Sequence, residues 1–259
     1  MILFFHNRFT RIPGVRPQVN VFDEERNGKR YIADETGVLV EAKKNAWTKA
    51  GNYYYYLKDD SFLTNCVAKI GNVWYGFDWD GRMMDDTTFN IRDNESGEES
   101  YYHAKKGGEL LTGWYQEDNE RYYYGADGKG YEGLQSVDGK QYYFQYGRVC
   151  RSQRVEADGK LYVADRNGDL IEAKNNVWTK VDGEYYYAKD NKFLTDCVAK
   201  IGNAWYGFNW LGQMYAGEDF SIWDEESGTD YYYLAKADGS LYAGEWYEIH
   251  RGVDSEWSY

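Results

Sequence analysis

The stretch CVAKIGNVWYGFDWDGRM, Cys66 to Met83, returns as CVAKIGNAWYGFNWLGQM, Cys197 to Met214. The offset of 131 residues (197 − 66) holds without a gap from about Tyr31/Tyr162 to about Gly113/Gly244. Inside each copy runs a shorter beat of roughly twenty residues. A short apolar strand precedes a turn such as AGN, IGN, VDG or ADG. A run of Tyr, Trp or Phe follows, and then a second turn such as DWDG, NWLG, RNG or ADG. Asx-Gly and Gly-Asn between aromatic runs signal hairpins, because primed turns need positive φ. Tyr, Phe and Trp favour strands, and no stretch keeps a helical apolar period over a dozen residues. A lone hairpin is marginal in water, so successive hairpins must stack and bury their rings against one another. The expected fold is therefore all-β, a solenoid of stacked β-hairpin repeats.

Composition agrees with a thin, ring-built interior. Aromatic residues make up 19% of the 259, with 28 Tyr and 10 Trp, yet mean hydropathy is −0.81. Aliphatic residues are too sparse for a thick core. Tyr and Trp suit the task because one edge can be buried while the polar tip reaches water. The formal charge of −13 and the lack of a basic stripe exclude nucleic acid as a natural partner. The acidic balance accommodates neutral glycans or cationic ligands. No span of apolar residues would insert in a membrane, and the run Ile2 to Phe5 is too short for a secretory signal.

Residues 1–20 hold both prolines, Pro13 and Pro17, and fall outside the beat. They read as an irregular N-terminal arm or cap. Residues 21–259 read as one continuous array, with a duplicated block at about 29–113 and 160–244. The acidic segments RDNESGEES (from Arg92) and WDEESGTD (from Trp223) occupy matching positions and read as longer irregular loops on one face.

These units resemble the cell-wall-binding repeats of Gram-positive surface proteins. That group includes choline-binding repeats, glucan-binding repeats and the related repeats of clostridial toxins. GNVWYGFDWDGRM from Gly71 and GNAWYGFNWLGQM from Gly202 match the second half of the repeat. TGWYQEDNERYYYGADG from Thr112 matches the first half, and GLQSVDGKQYYFQYG from Gly133 is similar to the glucan-binding variety. The resemblance spans about Val21 to Tyr247. It implies a cage of aromatic rings between consecutive hairpins, often with a methionine beside it. A quaternary ammonium donates no conventional hydrogen bond, so ring faces attract it by cation–π contact. Carried onto this chain, the first ring falls at Trp47, Trp114, Trp178 and Trp246. The second falls at Trp74 with Tyr75 and at Trp205 with Tyr206, and the methionine at Met83 and Met214. Other units carry Cys66, Leu134, Val155 or Cys197 at the first position.

Two further rings stand out. Trp79 and Trp210 lie inside the second turn, at a hairpin tip, where there is less core to join; they are candidates for ligand or partner contact. Asp78 and Asp80 flank Trp79, but calcium needs six or more oxygens and the second copy has Asn209 and Leu211, so turn chemistry is the better account. Cys66 and Cys197 occupy equivalent positions and are expected to fill small apolar core sites. His6, His103 and His250 are isolated, and no nucleophile–base arrangement or phosphate loop is present. No catalytic residue, metal ligand or cofactor is assigned.

The function expected is a non-catalytic carbohydrate- or cell-wall-binding module of an exported bacterial protein, at the cell surface or outside the cell. Its partner would be a cell-wall or extracellular polysaccharide, or choline groups carried by one. The alternative is a structural spacer or adhesin repeat that contacts a host or partner protein through its acidic loops, near Asn94 and Glu225.

Overall fold

A computed structural model describes residues 23–26, 28–93, 95–243, 247–251 and 254–258. The arm at 1–20, Asn94 and Trp246 lie outside the described residues. Among the described residues every regular element is a strand, and every strand pairing is antiparallel and local in sequence. The all-β expectation holds. The chain divides into two compact units, Met1–Thr112 with Ala126–Gly128, and Gly113–Gly125 with Lys129–Tyr259.

In the first unit, Asp23–Arg26, Lys29–Ala33 and Leu39–Ala42 form a three-stranded sheet. Ala46–Ala50, Tyr53–Lys58 and Ser61–Phe62 form another. Two hairpins follow, Cys66–Ile70 with Val73–Phe77 and Thr87–Arg92 with Glu99–Ala104. The second unit opens on a five-stranded sheet built around the hairpins Gly113–Glu117/Glu120–Tyr124 and Gly133–Val137/Lys140–Gln145, joined through Arg148–Val149. Beyond it the series of the first unit returns. Trp178–Val181 pairs with Glu184–Lys189, Cys197–Ile201 with Ala204–Phe208, and Asp219–Asp224 with Thr229–Leu234. Sequence reasoning missed the short third strands, such as Ser61–Phe62 and Lys192–Phe193, which widen a hairpin into a sheet. Two residues are too few to carry a periodic signal.

The turns obey the chemistry read from sequence. Between Val181 and Glu184, Asp182 has φ 53° and Gly183 φ 101°, positive at both positions as a type I′ turn requires. The acidic insertions form the closing ends of regular hairpins, as connections longer than a two-residue turn: Arg92 pairs with Glu99, and Asp224 with Thr229. Asp93 and Asp224 close these ends by accepting backbone N–H groups from Ser96 and Ser227 at 2.7 Å each.

The interior is a series of small clusters rather than one thick core. Leu161 and Val163 pack with Val181, Tyr186, Ala188 and Phe193. Tyr187, Phe208 and Met214 form the next cluster, and Phe220, Ala235 and Leu241 the one after. Gly207 makes the join between those last two possible, because a β-carbon there would occupy the space of the Phe220 ring; Gly76 and Phe89 repeat the arrangement. Cys66 and Cys197 are half-buried, Cys197 packing against the cluster of Tyr187, Phe208 and Met214, and burial pushes both thiols up.

Candidate functional site: aromatic boxes between hairpins

Tyr56, Tyr75 and Phe77 follow Trp47 by 9, 28 and 30 positions. The same intervals carry Trp114 to Tyr123, Tyr142 and Phe144, and Trp178 to Tyr187, Tyr206 and Phe208. Each interval has a structural cause. The first Tyr is the cross-strand partner of the Trp within its own hairpin. The second Tyr and the Phe stand two residues apart on a strand of the next hairpin, so both face the same side. Four rings from two hairpins therefore meet at each tryptophan.

The geometry repeats closely. Trp47 lies 5.2 Å from Tyr56 and 4.9 Å from Tyr75 by ring centroids, both edge-on, and stacks on Phe77 at 5.9 Å. Trp178 lies 5.0 Å from Tyr187 and 5.0 Å from Tyr206, and stacks on Phe208 at 5.9 Å. Trp114 lies 5.0 Å from Tyr123 and 5.2 Å from Tyr142. Edge-to-face pairs of this kind contribute about 0.5–1.5 kcal/mol each beyond their burial.

At Trp178 the box opens into a cavity of about 500 Å³, lined among others by Trp178, Tyr185, Tyr206, Met214, Glu184 and Asp238. Three residues assigned from sequence to first ring, second ring and methionine, Trp178, Tyr206 and Met214, thus share one cavity. Its wall is ring faces and a thioether; its polar groups include two carboxylates. The Ser240 hydroxyl and backbone N–H donate to Asp238 Oδ1 at 2.7 and 2.9 Å and hold that carboxyl below its ordinary value. Asp238 is therefore charged at neutral pH. The Lys180 ammonium lies 4.6 Å from the outer ring, Tyr185. In the first unit Met83 likewise lies against Gly108, and Tyr75 makes a bridge with Glu109.

Other sequence candidates fall elsewhere. Strand alternation turns Trp74 and Trp205 to the opposite face from Tyr75 and Tyr206; Trp205 is exposed. They are not part of the boxes. Trp79 and Trp210 are 75% and 67% exposed, but they stand in the turn after the second strand, between the bridged Phe77 and Met83 and between Phe208 and Met214, rather than at the tips of the Cys66 and Cys197 hairpins. Asp78 is committed to its turn, its Oδ1 accepting the backbone N–H of Asp80 and of Arg82 at 2.9 and 2.8 Å. His103 shares a hydrogen bond with the Thr88 hydroxyl across its hairpin, a structural contact. The rings missed from sequence are the cross-strand Tyr56, Tyr123 and Tyr187 and the stacking Phe77, Phe144 and Phe208. The shared intervals of 9, 28 and 30 were the signal that could have found them.

No protein-family model matches the chain. It is 28% identical over 207 residues to glucosyltransferase-S of Streptococcus mutans, covering 79% of this chain. It is 29% identical over 187 residues to glucosyltransferase-S of Streptococcus downei, covering 65%. The match spans 14% and 13% of those relatives' own lengths. Among solved structures, the modular autolysin LytC of Streptococcus pneumoniae, in complex with a synthetic peptidoglycan ligand, is 22% identical with a TM-score of 0.36. The match covers 81% of this chain and 50% of that one. Alternansucrase in complex with isomaltononaose is 17% identical with a TM-score of 0.32, over 90% and 19% of the two chains. The resemblance to repeats of Gram-positive proteins, read from the residues alone, is borne out by the two streptococcal glucosyltransferases.

Proposed function

We propose that this chain is a non-catalytic carbohydrate- and cell-wall-binding repeat module of an exported bacterial protein, working at the cell surface or outside the cell. In this reading the hairpins form one array over about residues 21–259, a β-hairpin solenoid capped by residues 1–20. The duplicated block doubles its sites. The boxes between hairpins hold a sugar face or a choline-like ammonium, and the turn residues Trp79 and Trp210 add contacts to a long polymer.

One observation carries this reading: Trp178 and Tyr206, from successive hairpins, and Met214, which follows the second of them, line a single cavity. Ring faces with few polar groups suit both ligand classes. A sugar stacks its C–H face on an aromatic ring, and an ammonium without N–H groups is drawn to the ring quadrupole. Several weak sites on one chain raise affinity for a polymer by about 10²–10⁴ when the polymer spans them. The streptococcal relatives, both named glucosyltransferase-S, support the reading as proteins that handle glucosyl groups.

The test is co-sedimentation with purified streptococcal cell walls and with insoluble glucan. The wild-type chain is expected in the pellet with at least one of them, and Trp178→Ala is expected to be depleted from it. A wild-type chain that stays in the supernatant with both would overturn the reading.

A further inference from the structure

The middle box differs from both of its counterparts at three positions, and two of the replacements, Arg121 and Asp138, make contact with its tryptophan. Seven residues after the tryptophan, the outer boxes have Tyr54 and Tyr185; the middle one has Arg121. Thirty-six residues after it, the outer boxes have Met83 and Met214; the middle one has Cys150, which is buried. Twenty-four residues after it, the outer boxes have Gly71 and Gly202; the middle one has Asp138.

The Arg121 guanidinium lies 4.3 Å from the Trp114 ring and 5.9 Å from Tyr142, the two rings that correspond to Trp178 and Tyr206. Its Nη1 donates to the Asn167 backbone carbonyl at 2.9 Å, which holds the side chain in place. Asp138 accepts the Trp114 indole N–H at 3.0 Å, so the polar edge of that ring is taken as well. Asp169, paired with Lys140, lies close enough that the Arg121 charge helps depress its carboxyl. A cation on the ring faces with a carboxylate nearby is the arrangement an ammonium ligand would adopt in the open box.

The geometry points to Arg121 as a built-in occupant of the Trp114 box. It closes that box to external ligands, and so decides which members of the array bind. This rests on the reading that open boxes accept cationic groups. It goes beyond that reading by assigning the middle site as self-filled and naming the residue responsible. The residue at this position then sets the valency of the array. A ring there leaves a site open, and a guanidinium shuts it.

The test is calorimetric titration with tetramethylammonium chloride of the wild type, Arg121→Ala and Arg121→Tyr, the last copying Tyr54 and Tyr185. Near-UV circular dichroism reports on the rings in each. The expected result is one additional equivalent bound by both variants, abolished when Trp114→Ala is added. Equal stoichiometry in wild type and both variants, with unchanged dichroism, would overturn the assignment. So would loss of the native aromatic signal in both, since Arg121 would then be a structural clamp. If the wild type binds nothing and Arg121→Ala binds one equivalent, the plug stands while the ligand reading of the open boxes falls. If neither binds, the plug falls too.

Discussion

The rings of Trp178 and Tyr206 come from neighbouring hairpins, yet their centroids lie 5.0 Å apart at an interplanar angle of 68°. Neither hairpin can build this corner alone. Binding surface and stacking interface are therefore the same object, and substitutions there affect both.

Glu184 and Asp238 distinguish the two ligand classes. Both line the Trp178 cavity. Solvent screens such carboxylates, so their attraction for a cation is modest. Glu184→Gln with Asp238→Asn is expected to weaken tetramethylammonium or choline binding by roughly 2- to 10-fold. Binding of isomalto-oligosaccharides is expected to be unchanged. Fluorescence titration of both ligands checks this, and equal losses for sugar and cation would contradict it.

Trp79 and Trp210 separate stability from binding. Both are exposed in turns, so Trp79→Ala with Trp210→Ala is expected to change unfolding free energy by no more than about 0.5 kcal/mol. Retention on insoluble glucan is expected to fall, while choline binding in the box persists. Urea unfolding and co-sedimentation read the two effects.

Gly207→Ala tests the join between hairpins. Its methyl group would stand in the Phe220 ring, which stacks on Tyr215 at 4.0 Å and on Tyr233 at 5.4 Å. The rings must shift, and overpacking of this kind costs about 1–3 kcal/mol. Gly76→Ala is expected to act the same way against Phe89. Urea midpoints for each variant measure it.

Asp78 gives a pH dependence of known sign. Burial raises its carboxyl above the ordinary 3.8, and the nearby Arg82 only partly offsets this. A raised acid costs the folded state stability wherever it is ionised, so the cost is full above its folded pKa and vanishes below 3.8. The second copy has Asn209 here, whose Oδ1 accepts the Gln213 N–H at 2.9 Å in the same turn. Asp78→Asn is therefore expected to raise stability at pH 7. The gain is expected to fade as pH falls through the raised pKa. Thermal unfolding at a series of pH values follows it.

The hairpins were legible because their turns are written in residues with positive φ and their strands in runs of rings. The tryptophan and methionine of the box were legible for a similar reason, since Trp178 and Met214 sit at fixed places in a repeated phrase. The choice between Trp205 and Tyr206 was not. Adjacent residues on a strand face opposite ways, and which face meets the neighbouring hairpin is fixed by how the hairpins pack, which sets Tyr206 against Trp178 and leaves Trp205 exposed. The role of Arg121 was hidden for a different cause. Its contact with Trp114 is local, but the carbonyl that fixes it belongs to Asn167, 46 residues away.

The central claim is that ligand enters the box at Trp178. Its most direct measurement follows the indole N–H resonances by nuclear magnetic resonance during titration with choline and with isomalto-oligosaccharides, with Trp178→Phe assigning the key signal. The account predicts a saturable shift of the Trp178 resonance with at least one ligand, while Trp205, on the opposite strand face, stays fixed. No saturable shift at Trp178 with either ligand, or a shift confined to Trp205, would contradict it.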